Sequence, residues 1–463
     1  MLPLLQEATA PQRARLVNLL NEYLCRPEER ERLLGFLADS DPRTERVAVG
    51  IAGKLDATIE SVLLERWRAA TLPETRRALA FALGQIGGSA AGALLSETKS
   101  ENDPELLRIV GEARLKIDRR TARSAHPGSI FESGIPGHSI PIIYRCRRGL
   151  EQLVAEESGG TRIAAERVER RSNLSLQQLL AVRTALDFVF PLPVAPGDID
   201  DAVFAALTDP ATRALLKRLT HGPIRFRIEW AEAGKRRAQT IKLATRLREA
   251  APELLNDPTA SLWQIDVIEK PTRRLELWCK ALPDPRFTYR ATDVVGSSHP
   301  TIAAALAWVA EPRSDDIVWD PFAGGGTELI EVARRKMVKH LYGSDISEQA
   351  LSRAQLNLDS AQVSATLCAG DATRFVPPEA PTLIISNPPM GRRVLNKDRV
   401  TELLNRFLPH AARTLAPGGR IAWYTPRADD ARALLARLGL TLAFAERVDM
   451  GGFPAELQLL KKR

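Results

Sequence analysis

From about residue 295 to its last residue the sequence alternates short strand-like runs with amphipathic stretches, and this alternation constrains the fold more than any other feature. The strand-like runs are DDIVWDPFA, HLYGSDI, ATLCAGDA, TLIISNPP and GRIAWYTP. Between them lie GTELIEVARRKM, SEQALSRAQLNLDSA, RVTELLNRFLPHAARTL and ADDARALLARLG, with apolar residues at helical spacing. Two further runs, TLAFAERVDM and FPAELQLLKKR, flank Gly451 and Gly452 and read as a closing hairpin. Such an order predicts a mainly parallel α/β sheet with helices on both faces. In sheets of this kind ligands bind at the carboxyl ends of the strands.

Special residues fall at those ends. Asp320 opens DPFAGGGT, where Gly324, Gly325 and Gly326 let the backbone approach a ligand. The pattern is not GxGxxG, and no GKS or GKT follows, which disfavours a phosphate cradle. The Asp320 carboxylate suits the amino group of a zwitterionic ligand, and a structural turn serves the loop equally well. Asp345 ends the second strand, where a carboxylate can accept both hydroxyls of a ribose. Asp345 or Ser347 could instead cap the next helix. Asp371 ends the third strand, as an acceptor for an adenine amino group or as a turn residue. Asn387 ends the fourth and is followed by Pro388 and Pro389.

This ordered set resembles the S-adenosylmethionine-dependent methyltransferases, and Asn-Pro-Pro resembles the group that methylates exocyclic or amide nitrogens. LAPGGRIAWYT (Leu415–Thr425) and GSSHPTIAAALAWVA (Gly296–Ala310) are similar to the lead into the fifth strand and to the helix before the sheet in that family. The resemblance covers roughly residues 290–463 and implies a Rossmann-like domain with seven strands. It implies a cofactor site at Asp320, Phe322, Ala323, Gly324, Gly326, Asp345, Ile346, Asp371, Ala372 and Asn387, a catalytic set of Asn387, Pro388, Pro389 and Met390, and no metal. An exocyclic amine is a poor nucleophile because its lone pair is delocalised into the ring. The Asn387 side-chain oxygen and the Pro388 carbonyl can accept its two protons. Two prolines fix φ near −65° and hold those acceptors rigidly. Met390 departs from the family, where an aromatic residue stacks on the target base. A thioether supplies only part of the roughly 1–3 kcal/mol that stacking contributes per base.

The amino-terminal third has a different period. Pro11, Pro42, Pro73 and Pro104 recur at a 31-residue offset. After the last three, Val47/Ala78/Ile109, Ala48/Leu79/Val110, Ile51/Ala82/Ala113 and Leu55/Ile86/Ile117 align on one helix face. Proline suits a first helical turn, where its missing N–H has no partner. Residues 1–118 therefore read as an α-solenoid resembling HEAT-like repeats, with an ordinary helical bundle as the alternative. Residues 119–138 (RRTARSAHPGSIFESGIPGH), rich in Gly, Pro and Ser, read as a linker. Residues 139–290 alternate strands (IPIIYRC, IRFRIEW, LWQIDVIEK, RRLELWCKAL) with helices (RGLEQLVAEES, TIKLATRLREAAPELL). This α+β region resembles the ferredoxin-like plus THUMP module of RNA-modifying enzymes. Its basic clusters, Arg145, Arg147 and Arg148 with Lys235, Arg236 and Arg237, are candidates for an RNA phosphate face, as are Arg392 and Arg393 after the Asn-Pro-Pro. The methyltransferase domain would occupy residues 291–463.

A formal net charge of +8 favours an anionic partner. No apolar run approaches the roughly eighteen residues that span a bilayer. Cys25, Cys146, Cys279 and Cys368 form no CxxC pair, so neither structural zinc nor a disulfide framework is expected, and a reducing cytoplasm fits. The resemblances imply an enzyme of the THUMP-type RNA guanine-N2 methyltransferase family, acting on tRNA, with a protein or RNA partner for the repeats. The alternatives are methylation of a protein glutamine, of rRNA or of DNA adenine N6, or a scaffold whose catalysis has decayed.

Overall fold

The structure is a computed structural model. It describes residues 8–9, 12–15, 17, 33–98, 102–125, 128–134, 137–232, 236–290, 298–391 and 397–463. The chain forms two compact units, Met1–Phe131 with Leu192–Leu282, and Glu132–Pro191 with Pro283–Arg463. The expected middle domain, 139–290, is thus divided, its first part clustering with the carboxy-terminal residues and its second with the helices.

In the first unit, helices span Pro42–Ala52, Glu60–Ala69, Pro73–Ile86, Ser89–Ser96 and Pro104–Ala125. The prolines at 42 and 73 sit in the first turn, as expected. Asp41 accepts from Thr44 N and Asp103 from Leu106 N, which satisfies donors that a helix start leaves open. The 31-residue offset reappears in the packing. A Cβ on Gly53 would lie 2.9 Å from Ala82 Cα, and one on Gly84, 31 positions later, would lie 2.8 Å from Ala113 Cα. Successive helices therefore cross backbone on backbone, which only glycine permits. Leu63, Trp67, Leu79, Leu83 and Val110 fill the core between them.

The expected linker does not begin at 119, because the last helix continues to Ala125. Arg119 Nη2 donates to Asn256 Oδ1 at 2.6 Å and Arg120 Nη1 to Gln85 O at 2.7 Å. Asp118 is salt-bridged to Arg248. What reads locally as a polar hinge is a helix end whose charges have distant partners. The same unit holds strands in the order Arg274–Trp278, Trp263–Ile268, Ile224–Trp230, Leu254–Asn256. Helices Ile199–Thr208, Pro210–Arg218 and Arg237–Ala250 accompany them. The expected helix through PELL stops at Ala250, and Leu254–Asn256 pairs in parallel with Ile224–Phe226 instead.

The second unit begins with strands Ile140–Arg145, Thr161–Ala164, Arg167–Ser172 and Asp187–Leu192 and the helix Glu151–Ser158. Leu150 and Leu153 pack into the same core as Ile302, Leu306 and Val309. The seven-stranded sheet follows: β1 (Ile317–Asp320), β2 (His340–Asp345), β3 (Thr366–Ala369), β4 (Leu383–Ser386), β5 (Arg420–Thr425), β6 (Leu440–Asp449) and β7 (Pro454–Lys462). Their order is β3-β2-β1-β4-β5-β7-β6. The first five are mutually parallel, and β7 runs antiparallel to β5 and to β6. Both faces are covered: Tyr424 faces a core with Leu329 and Val332, while Trp319 and Trp423 face one with Phe407 and Leu404. No helix among the described residues is long and apolar enough to cross a membrane.

The crossing at Gly84 predicts a measurable contrast. Gly84→Val should destabilise the protein by about 1–3 kcal/mol, as overpacking does. Gly50, helical with open space around its Cβ position, is the control. Gly50→Ala should stabilise by about 0.5–1 kcal/mol. Chemical denaturation of both variants checks this; equal stabilities would remove the close-approach argument.

Candidate functional site

Asp320 is the last residue of β1 and is fully buried. Its Oδ1 accepts from Phe322 N at 3.0 Å, while Oδ2 is buried with no hydrogen-bond partner among the described residues. The chain then turns through Ala323–Gly326. Gly324 and Gly326 have φ of +49° and +75°, in the left-handed region that favours glycine. Gly324 N donates to Asp345 Oδ2 at 2.9 Å, and Asn357 Nδ2 donates to Gly325 O at 3.0 Å, so two neighbouring elements hold the loop. Helix Thr327–Arg335 starts directly after it.

Asn387 follows β4, the strand beside β1. Its Nδ2 donates to Ser298 Oγ at 2.6 Å, and its buried Oδ1 has no partner among the described residues. Ser298 Oγ donates in turn to Glu328. Glu328, in the first turn of helix Thr327–Arg335, is 4% exposed. Burial pushes the Asp320 carboxyl well above the usual carboxylate range, and the nearby Glu328 charge raises it further. Burial likewise raises Glu328, and the hydrogen bond from Ser298 opposes the rise. Neither Ser298 nor Glu328 was expected from the sequence. An acidic residue in a first helical turn reads as an ordinary complement to the helix dipole, so the only local signal pointed to stability.

Asp345 ends β2 and is half-buried, with Oδ1 accepting from Ser347 N at 2.9 Å. The helix cap is Ser347, which accepts from Ala350 N, so the capping alternative falls to it. Ile346 beside Asp345 is 82% exposed, an apolar side chain left uncovered at a strand end. Asp371 Oδ1 accepts from both Thr373 N and Thr373 Oγ1 at 2.8 Å, a turn arrangement that holds its carboxyl low and leaves Oδ2 for another donor. Ala372 is buried, and Phe322 sets its ring edge against Phe407 with centroids 5.1 Å apart. Ala323 is buried and its N–H donates to Ser344 O. Pro388 is buried, Pro389 half-buried, and Met390 packs onto the apolar core that contains Leu306 and Tyr424.

The basic candidates differ in their surroundings. Arg145 makes two bonds to Asp187, at 2.6 and 2.8 Å. Arg148 lies 3.3 Å from Glu166. Arg236 pairs with Glu269 at 2.7 Å and stacks on Trp230. The Arg145 and Arg236 pairs are about one quarter exposed, whereas Arg148 and Glu166 meet at the surface. Burial depresses the half-buried Arg147 guanidinium, which Asp449 partly offsets. Arg237 is exposed. Lys235, Arg392 and Arg393 lie outside the described residues.

Residues 288–453 match the family model of the UPF0020 RMKL-like methyltransferase domain. A tRNA (guanine(6)-N2)-methyltransferase of Thermus thermophilus is 33% identical over 173 residues, 36% of this chain and 50% of that protein. The U6 snRNA (guanine-N(2))-methyltransferase THUMPD2 of Bos taurus is 34% identical over 125 residues, 26% of this chain and 24% of that one. The chain thus spans about half or less of the curated relatives it matches. The crystal structure of TrmN from Thermus thermophilus superposes with a TM-score of 0.55 at 25% identity, over 70% of this chain and 99% of that one. A possible methylase from Clostridium difficile 630 superposes at 0.54 with 17% identity, over 70% of this chain and 98% of that one, a likeness of fold.

The raised Asp320 carboxyl makes a signed prediction. A folded-state value above the unfolded one means that the native state holds the extra proton. Stability then falls as pH rises from the ordinary carboxylate value to the raised one. Asp320→Asn keeps an acceptor for Phe322 N and removes this penalty. The variant should therefore unfold at a higher temperature than the parent near neutral pH, and the gap should close as pH falls to the ordinary carboxylate value. Melting curves across that range check it; a lower melting temperature at neutral pH would show that Asp320 is compensated.

Proposed function

We propose that the second unit is an S-adenosylmethionine-dependent methyltransferase acting on an exocyclic amine of RNA, with guanine N2 in tRNA as the favoured target. The observation that carries this reading is the pair of partnerless buried oxygens, Asp320 Oδ2 and Asn387 Oδ1, at the ends of adjacent strands. One is an anionic acceptor that wants a cation, the other a neutral acceptor that wants an N–H. The named relatives act on guanine N2 of tRNA and of U6 snRNA, which supports the choice of substrate.

The residues fit the cofactor. Asp320 would hold its ammonium group, Asp345 its ribose hydroxyls, Ile346 the face of its adenine and Asp371 the adenine amino group. When bound it supplies an activated methyl on a sulfonium. Asn387 Oδ1 and the Pro388 carbonyl would accept hydrogen bonds from the two N–H groups of the substrate amine, so that its lone pair localises on nitrogen. Pro388 and Pro389 lock the backbone that carries those acceptors. Such fixed acceptors stabilise positive charge developing on nitrogen without reorganising. Met390, seated on the apolar core, leaves base stacking to another side chain or to the substrate's own neighbours.

The helices that begin at Pro42, Pro73 and Pro104 we read as HEAT-like repeats serving as a docking surface for protein or RNA, supported by the 31-residue recurrence of the glycine crossings. Residues 139–290 we read as a ferredoxin-like and THUMP-like RNA-binding region, and a cytoplasmic location suits the cysteine usage. Binding through phosphates would weaken steeply with salt, with Lys235, Arg237, Arg392 and Arg393 as contributors beside Arg147.

Asn387→Ala should leave cofactor affinity by calorimetry nearly unchanged and lower methyl transfer by roughly 10²-fold, as for loss of one preorganised group. The assay is transfer of labelled methyl to total tRNA followed by nucleoside identification. Label in N2-methylguanosine supports the reading; label in protein overturns it in favour of a glutamine substrate.

A further inference from the structure

We infer that Glu328 and Ser298 are positioning residues that set the orientation of the Asn387 amide, so that its oxygen and not its nitrogen faces the substrate amine. This rests on the proposed role of Asn387. An asparagine amide is nearly symmetric in shape, and only its hydrogen-bond partners distinguish the two flips. Here the direction of the bonds settles the choice. Glu328, when ionised, can only accept. The Ser298 hydroxyl has one proton and gives it to Glu328, so its oxygen is left to accept from Asn387. The amide must therefore present Nδ2 to Ser298. Oδ1 is then turned away from both and stands without a partner.

The arrangement spans three separate elements. Glu328 is on the helix after the glycine loop, Ser298 precedes helix Pro300–Ala310, and Asn387 follows β4. Their side chains are brought together across sequence separations of 30 and 89 residues. A carboxylate is a costly way to hold a serine in a dry site. Its advantage over a neutral amide is that, ionised, it offers no donor that could reverse the chain of bonds. Glutamine at 328 could donate its own N–H to Ser298, which would then donate to Asn387 Oδ1. The amide nitrogen would be left facing the substrate amine, donor against donor.

The test uses the full-length chain with saturating S-adenosylmethionine and tRNA. Glu328→Gln and Ser298→Ala should each lower kcat by between about 10-fold and about 10²-fold, approaching but not exceeding the loss in Asn387→Ala. Cofactor affinity by calorimetry should change little in both. Ser298→Thr, which keeps the hydroxyl, should retain most of the parent kcat. In the Asn387→Ala background, Glu328→Gln should have no further effect, because nothing is left to orient. Thermal unfolding separates this from misfolding, since removing a buried carboxylate should leave the variant at least as stable near neutral pH. A Glu328→Gln enzyme with parent kcat, one impaired only in cofactor affinity, or one whose loss adds fully to that of Asn387→Ala would overturn the inference. A parent chain with no transfer to tRNA, or an Asn387→Ala variant of full activity, would instead overturn the function on which it rests.

Discussion

The site depends on one constraint, the change of direction in strand order between β1 and β4. From β1 the chain builds outward through β2 and β3, then returns to the other side of β1 with β4 and β5. The helix after β1 packs on the face that holds Tyr424, and the helix after β4 packs on the opposite face, with Phe407 and Leu404. Two adjacent strands therefore send their chains apart, the arrangement that in open α/β sheets makes a crevice above the carboxyl ends. Asp320 and Asn387 stand on its two sides. Each is placed there by where a strand ends, not by any local preference of its own.

Two buried aspartates on either side of one short strand show how differently the two poles are built. Asp316, just before β1, accepts from Arg420 at 2.6 Å and from Thr382 Oγ1 at 2.7 Å, while Arg420 Nε donates to Ala310 O at 2.9 Å. Its carboxyl is held low despite burial, because the guanidinium and hydroxyl bonds win. Asp320, four residues later, is equally buried and is pushed the other way, with a second acid beside it. Removing one partner from a buried charge typically costs several kcal/mol, about 3–5, and proteins rarely leave such a group unmatched without a use for it. The amino pole is a closed ionic clamp; at the carboxyl pole Asp320 Oδ2 has no hydrogen-bond partner among the described residues.

Attachment of the first strands to this domain follows the same physics. Arg183 bonds both oxygens of Glu331 at 2.7 Å and the Arg286 carbonyl at 2.8 Å, and Tyr289 donates to Glu331 at 2.6 Å. Glu331 and Glu328 lie one turn apart on one helix. The first is satisfied by a cation and a phenol from flanking segments, the second by a hydroxyl that belongs to the site. One helix thus serves as anchor on one side and as part of the crevice wall on the other.

The sequence by itself determined whatever rests on local chemistry. Strands and helices alternate where period-2 and period-3.6 patterns alternate. Helices begin at Pro42, Pro73 and Pro104 because proline suits a first turn, with Asp41 and Asp103 capping the first and the last. Polar residues at strand ends marked Asp320, Asp345, Asp371 and Asn387, since strand length and turn chemistry are local. Only the tertiary structure decided the rest, because it depends on partners remote along the chain. Arg119, in the last helix of the first unit, donates to Asn256, 137 residues away, and Arg145 pairs with Asp187, 42 residues on. Glu328 and Ser298 could not be read in advance for the same reason: a buried carboxylate acquires its meaning from the hydroxyl and the amide that fold against it.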